Sequence, residues 1–119
     1  MRVVCVFGTR PEAFKMAPVI KQLYCYTVRI TPHAWVTAQR RQMLDQAFDL
    51  FGIQPDPGPG HYPRGTDPLP VATLTLQRLE PHLADERPDW VLVQGDTTTV
   101  MATAIVAHHL RINVSHVEV

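Results

Sequence analysis

Side chains that suit an anionic ligand stand directly after the first apolar run of the chain. The run Val3–Val6 leads into the motif Phe7-Gly8-Thr9-Arg10-Pro11-Glu12. Gly8 allows a tight turn, and Arg10 then lies at the carboxyl end of a strand, where open α/β sheets bind their ligands. A planar guanidinium can clamp a diphosphate. The motif therefore predicts an anion-binding loop, although it lacks the glycine spacing of a dinucleotide fingerprint and is not a P-loop.

Acidic residues follow two other predicted strands. Asp96 follows the predicted strand Trp90–Gln94 after one intervening residue, Gly95, and Glu118 follows the last apolar run. Because parallel strands end at the same edge of a sheet, we expect Arg10, Asp96 and Glu118 to face one crevice.

Each of these residues also has a purely structural interpretation. Asp96 at a strand–helix junction is a natural helix N-cap. Glu118 and Lys15 can be solvated surface charges, and His116 can be a hydrogen-bonded histidine of the core. His108-His109 have no cysteine or carboxylate at ligand spacing, so no metal site is predicted. The spacing alone therefore predicts only an anion-binding α/β domain.

Apolar runs that alternate with helical patterns predict a parallel sheet with connecting helices. Strands are predicted at 2–7, 33–37, 90–94 and 112–117, and helices at 12–24, 40–51, 68–85 and after Asp96-Thr97-Thr98-Thr99. The last helix is expected to bury Met101, Ala104, Ile105 and His108. Gly52 is predicted to end the second helix at its C′ position. The proline-rich stretch 55–65 is predicted to be a loop, with or without a fifth, edge strand.

Composition limits the class of protein. The chain has 119 residues, 45% hydrophobic content and a formal net charge of +0, and its basic residues are not clustered beyond Arg40-Arg41. This predicts one domain or part of one, with no nucleic-acid partner. Cys5 and Cys25 are interpreted as reduced thiols of a cytoplasmic protein. No segment has the length of a membrane span or the pattern of a signal peptide, so neither is expected.

Several segments, in order, resemble the amino-terminal part of the non-hydrolysing UDP-N-acetylglucosamine 2-epimerases. They are Val6–Ala13, Lys15–Pro18, Thr37–Gln39, Met43–Gln46 and Val93–Thr99, and the final His116-Val117-Glu118 is similar to the start of a further signature. The resemblance implies a Rossmann-like parallel sheet with helices on both faces. It also implies that this sheet is the first domain of a glycosyltransferase-B-like two-domain fold, with the active site between the domains.

The resemblance implies an isomerase that interconverts UDP-N-acetylglucosamine and UDP-N-acetylmannosamine without a nicotinamide or other cofactor. UDP is eliminated to give a 2-acetamidoglucal and is then added back with inverted configuration at C2. By resemblance, Arg10 binds the diphosphate and Lys15 shapes the same end of the cleft. Asp96 and Glu118 match acidic residues tied to proton transfer and sugar binding, and the sequence does not divide the roles of acid and base between them.

A regulatory site is also implied. Gln39 and Gln42 match a segment that contacts a regulatory UDP-N-acetylglucosamine in the family, whereas Arg40 replaces a histidine that is usual there. In the family the last motif continues with a stretch like Ala-Gly-Leu-Arg-Thr, and this chain stops at Val119.

The chain is accordingly expected to be an incomplete amino-terminal domain, 1–119, without the carboxy-terminal domain. The chain is interpreted as a truncated or frameshifted gene product, a deliberately expressed domain or the first piece of a split enzyme. Truncation is preferred, because natural domain boundaries fall in linkers rather than inside motifs. Such a piece is expected to be inactive alone. Full-length members are expected to be cytoplasmic homodimers that supply cell-envelope polysaccharide synthesis. The alternatives are a glycosyltransferase-like sugar-nucleotide-binding domain without epimerase activity and, more weakly supported, a non-enzymatic interaction module.

Overall fold

Strands and helices alternate along the chain, as the hydrophobic pattern predicts. The structure is a computed structural model, and it describes residues 1–26, 28–36, 49, 52 and 68–117. The elements in chain order are β1 (Arg2–Phe7), α1 (Arg10–Tyr24), β2 (Thr31–Val36), α2 (Pro68–Glu86), β3 (Trp90–Gln94), α3 (Thr98–His109) and β4 (Asn113–Val117). The predicted class, an α/β domain with a parallel sheet, is confirmed.

All four strands are parallel and lie in the order β2-β1-β3-β4. Phe7 pairs with Val36, Val3 pairs with Trp90, and β4 continues the same register from β3. The carboxyl ends of β1, β3 and β4 therefore share one edge, as predicted. Because β2 lies on one side of β1 and β3 on the other, the chain reverses its direction across the sheet between β1 and β3. This is the topological switch point where doubly wound sheets bind ligands.

Different helices cover the two faces of the sheet, which follows from the two-residue period of a strand. Alternate β1 residues Val3, Cys5 and Phe7 pack with α1, whose buried apolar side chains are Ala13, Met16, Ala17 and Ile20. The intervening residues, Val4 and Val6, pack with α2 and α3 through Leu79, Leu83, Val106 and Ala107. The prediction of helices on both faces is confirmed.

The predicted buried face of α3 is wrong by about one residue. Met101 and Ile105 are 51% and 50% exposed, and His108 is also exposed. The side chains that α3 buries are those of Thr99, Ala102, Thr103, Val106 and Ala107. Small side chains on this face let α3 approach α2 and the sheet closely. Close packing therefore selects this face, although the larger apolar residues Met101 and Ile105 lie on a different one.

Two predictions fall wholly or largely outside the described residues, namely the helix at 40–51 and the loop at 55–65. Gly52 is described, and its φ of +68° suits the predicted C′ position. Its N–H donates to the Asp49 carbonyl at 3.3 Å. Strand β2 begins earlier than predicted, at Thr31, and ends at Val36.

The two cysteines are free thiols, as predicted. Cys25 is exposed, whereas Cys5 is buried in β1, and this burial raises the pKa of the Cys5 thiol from 9.0 to about 12. A search of the described helices finds none with the length and apolar character that a membrane span requires.

Candidate functional site

The carboxylate of Glu12 joins the two loops at the switch point. Glu12 lies in the first turn of α1 and is only 2% exposed. Its Oε2 accepts hydrogen bonds from the backbone N–H groups of Gly8 at 2.8 Å and Thr9 at 2.9 Å. Its Oε1 accepts a hydrogen bond from the Thr97 hydroxyl, 85 positions along the chain. The Glu12 carboxylate therefore bridges the β1–α1 loop and the β3–α3 loop.

These hydrogen bonds decide how the β1–α1 loop can bind an anion. In glycine-rich phosphate loops the backbone N–H groups bind the phosphate themselves. Here the Gly8 and Thr9 N–H groups already donate to a carboxylate of the protein. These two N–H groups are therefore not free for an anion, which favours binding by a side chain such as the predicted arginine.

The β3–α3 loop, defined as Gly95–Thr97, is held from the other side by β4. Nε2 of His116 lies 2.6 Å from the Gly95 carbonyl oxygen. A carbonyl only accepts, so this nitrogen carries the hydrogen. The prediction of a hydrogen-bonded His116 is confirmed, but the side chain is exposed rather than part of the core. Gly95 has a φ of +88°, a conformation that favours glycine.

Asp96 lies at the middle of this loop with an exposed side chain. Within the part of the chain that the structure describes, no hydrogen bond or ion pair holds its carboxylate. Thr97, not Asp96, is the N-cap residue of α3, so the capping interpretation of Asp96 is wrong. The Thr97 side chain makes no capping hydrogen bond either, since its hydroxyl donates to Glu12. Asp96 is therefore available to a ligand beside the positive end of the α3 dipole.

The other predicted site residues are placed only in part. Arg10 is the first residue of α1, and its side chain lies outside what the structure describes. Lys15 is exposed on α1, about 7.5 Å further along the helix axis than Arg10. Glu118, Gln39 and Gln42 lie outside the described residues. The structure thus brings the start of α1, where Arg10 lies, close to the loop that carries Asp96, and the common crevice with Glu118 stays a prediction.

Sequence reasoning missed the two residues that connect these loops. Thr9-x-x-Glu12 has the spacing of a capping box, so a bond from Glu12 to the Thr9 N–H could have been predicted. No sequence signal indicates that the second oxygen of Glu12 binds Thr97. Across the described ranges, no group of three or more histidine, cysteine, aspartate or glutamate residues is arranged to hold a metal ion.

Fold and site together define a class. The parallel sheet reverses its strand order between β1 and β3, and polar loops meet at the carboxyl edge of that reversal. This is the arrangement of a doubly wound α/β domain, a class in which ligands such as nucleotides bind at the reversal point.

Comparison with known proteins identifies the family. The family model described as UDP-N-acetylglucosamine 2-epimerase matches residues 27–119. The chain is 46% identical over 122 residues to the UDP-N-acetylglucosamine 2-epimerase of Salmonella typhimurium, and 46% identical over 118 residues to that of Escherichia coli K12. Each match covers 99% of this chain and 31% of the relative. The chain therefore belongs to the UDP-N-acetylglucosamine 2-epimerase family and spans about a third of the length of these relatives.

Solved structures agree with this assignment. The UDP-GlcNAc 2-epimerase of Neisseria meningitidis bound to UDP-GlcNAc is 43% identical, with a TM-score of 0.91 over 98% of this chain and 32% of its own. The Methanocaldococcus jannaschii enzyme in complex with UDP-GlcNAc and UDP is 33% identical, with a TM-score of 0.86 over 98% of this chain and 32% of its own.

Proposed function

We propose that residues 1–119 form the amino-terminal, incomplete domain of a non-hydrolysing UDP-N-acetylglucosamine 2-epimerase. The observation that carries the proposal is the likeness to the N. meningitidis enzyme bound to UDP-GlcNAc, at a TM-score of 0.91 and 43% identity. The contact between the Glu12 and Thr97 loops supports it, because it forms a polar site at the switch point.

The proposed reaction is an elimination followed by an addition. A base removes the proton from C2 of the sugar, the C2–H electron pair forms the C1–C2 double bond, and the C1–O bond to UDP breaks. The products of this step are UDP and 2-acetamidoglucal. UDP oxygen then bonds to C1 again while an acid delivers a proton to the opposite face of C2. No electrons are gained or lost overall, so the scheme needs no redox cofactor.

Residue types at the site support distinct roles. Arg10 would stabilise the charge that develops on the leaving UDP, and Lys15 would lie at the same end of the cleft. Asp96, exposed beside the amino end of α3, and Glu118 would transfer protons at C2 or hold the sugar. Because the loop N–H groups of Gly8 and Thr9 donate to Glu12, diphosphate binding would depend on the arginine side chain.

A completed enzyme tests this proposal. In it, residues 1–119 replace the 118-residue matching segment of the E. coli relative, and proton NMR follows the anomeric signals of UDP-N-acetylglucosamine. We expect conversion to UDP-N-acetylmannosamine by the completed enzyme and loss of conversion on Asp96→Asn. UDP binding should survive that substitution.

Two other results would be decisive. A folded completed enzyme that binds the UDP-sugar without converting it would favour a glycosyltransferase-like binding domain. The 119-residue chain alone should not convert the sugar, because half a cleft cannot exclude water or hold UDP, and positioning of this kind supplies about 7–11 kcal/mol. Clear turnover by the chain alone would contradict the proposed division of the site between two domains.

Wider properties of the complete protein belong to the same proposal. A cytoplasmic location, a role in supplying cell-envelope polysaccharides and a regulatory site at Gln39 and Gln42 follow from the family resemblance. The free, exposed thiol of Cys25 supports a reducing compartment. The exposed Met101 and Ile105 side chains support a surface that is covered in the complete homodimer.

A further inference from the structure

The loop that carries Asp96 is anchored on both sides of that residue. On one side, the Thr97 hydroxyl donates to Oε1 of Glu12. On the other side, Nε2 of His116 donates to the Gly95 carbonyl at 2.6 Å. Strands β1 and β4 flank β3 in the sheet; one anchor comes from the first turn of α1, which follows β1, and the other comes from β4. The Gly95–Thr97 loop is therefore attached on both sides of β3.

Neither hydrogen bond is explained by the capping of a helix or the pairing of a strand. A glutamate at the third position of a helix completes a capping box with one oxygen, which here is Oε2 on Gly8 and Thr9. The second oxygen adds nothing to that cap and instead binds Thr97, whose hydroxyl makes no cap on its own helix. His116 likewise binds outside its strand.

Asp96 has no such attachment of its own to the described residues, so the position of its carboxylate depends on the backbone that the two anchors hold. We infer that Glu12 and His116 are positioning residues that fix Asp96 relative to the β1–α1 loop. The inference rests on the proposed function for the role of Asp96, whereas the anchors themselves do not.

Paired substitutions test the two anchors in the completed enzyme. Thr97→Val removes the hydroxyl and Thr97→Ser keeps it; His116→Phe removes the donor and His116→Gln keeps a side-chain N–H. Thr98→Val, one position along in the first turn of α3, is the matched control. We expect Thr97→Val and His116→Phe each to lower kcat about 10- to 100-fold, since small misplacements near reacting atoms have effects of this size.

The pattern of the losses separates positioning from support of the fold. KM and the Kd for UDP should stay within about threefold of the parent values. The two anchors position Asp96, which acts on C2 of the sugar and not on the diphosphate. Thr97→Ser and His116→Gln should recover most of the turnover. Losses that fall equally on kcat and UDP binding, or that Thr98→Val reproduces, would overturn the inference.

A second measurement tests the Glu12–Thr97 hydrogen bond independently of enzyme activity. In the 119-residue chain, Thr97→Val should shift the backbone N–H NMR signals of Gly8 and Thr9, which bind the same carboxylate, more than Thr98→Val does. Equal shifts would show that Glu12 does not connect the loops. A completed enzyme without activity, together with the expected shifts, would disprove the proposed function and, with it, the positioning role, while leaving the anchor itself in place.

Discussion

Glu12 and Thr97 form a hydrogen bond although 85 positions separate them in the chain. The bond links the start of α1 to the start of α3 across the reversal point of the sheet. It also makes Glu12 a buried charge that is surrounded by donors, which is the arrangement in which a buried carboxylate stabilises a fold.

Glu12→Gln tests the energetic value of this carboxylate. An amide oxygen accepts more weakly than a carboxylate, and the amide nitrogen cannot accept the Thr97 hydroxyl. We expect the free energy of unfolding to fall by about 2 kcal/mol, within the range of hydrogen bonds to charged groups. Urea unfolding measures it. Glu80→Gln, on the exposed side of α2, is the control and should change stability by less than about 0.5 kcal/mol. Equal losses of stability at both positions would show that the hydrogen bonds of the Glu12 carboxylate do not stabilise the fold.

Arg10→Ala tests the proposed diphosphate contact in the completed enzyme. We expect the barrier to rise by roughly 2.7–4 kcal/mol with an almost unchanged melting temperature, as for other preorganised groups that stabilise charge. Arg10→Lys should recover only part of the loss, because lysine lacks the planar fork.

Arg29→Ala is the control for Arg10, since Arg29 is exposed just before β2, at the opposite edge of the sheet. It should leave turnover and UDP binding unchanged. If Arg10→Ala lowers the melting temperature and leaves turnover within a few-fold of the parent, the arginine supports the loop and does not bind diphosphate.

Thr103→Val should stabilise the chain. The Thr103 hydroxyl is fully buried and has no hydrogen-bond partner among the described residues. Valine has nearly the same shape and removes the unsatisfied group, so the free energy of unfolding should rise by about 1–2 kcal/mol. Thr75→Val, at an equally buried position whose side chain is not left unsatisfied, should lower it. A loss of stability at Thr103 would mean that its hydroxyl has a partner.

Alanine substitutions of two adjacent residues test the orientation of α3. Ile105 is half exposed, so Ile105→Ala should change the free energy of unfolding by less than about 0.5 kcal/mol. Val106 is 4% exposed, and Val106→Ala should lower it by at least about 1.5 kcal/mol. A larger loss of stability for Ile105→Ala than for Val106→Ala would show that α3 buries the face that the sequence pattern predicts.

The raised pKa of Cys5 predicts a stability that falls at high pH. Burial raises the pKa of the folded-state thiol from 9.0 to about 12. Between these values the unfolded chain loses the proton and the folded chain keeps it, so stability is full below pH 9 and falls above it by about 1.4 kcal/mol per pH unit.

Urea unfolding at about pH 8 and about pH 10.5 measures this slope for the Cys5 thiol. Cys25→Ala should keep the slope, because that thiol is exposed, and Cys5→Ala should reduce it by the contribution of one thiol. Identical slopes in the two variants would show that Cys5 ionises as readily in the folded chain as in the unfolded one.

Local patterns were sufficient to predict most of the fold. The apolar runs at Arg2–Phe7 and Trp90–Gln94 coincide with β1 and β3, since buried parallel strands are continuous apolar segments. Their order with the helices predicts a parallel sheet and a shared carboxyl edge. The face of α3 was not predictable in this way, because apolar residues lie on several sides of that helix and only contact with α2 and the sheet selects one.

The candidate site also combines features that the local sequence predicts with features that only tertiary contacts create. The sequence by itself determined that Arg10 and Asp96 follow strands, and that Thr9 and Glu12 have capping-box spacing, since these features depend on neighbours within a few residues. Only the tertiary structure decided that Glu12 also binds Thr97 and that His116 binds Gly95. These contacts exist because the assembled sheet brings three strand ends together, and no local periodicity carries information about which side chains then meet.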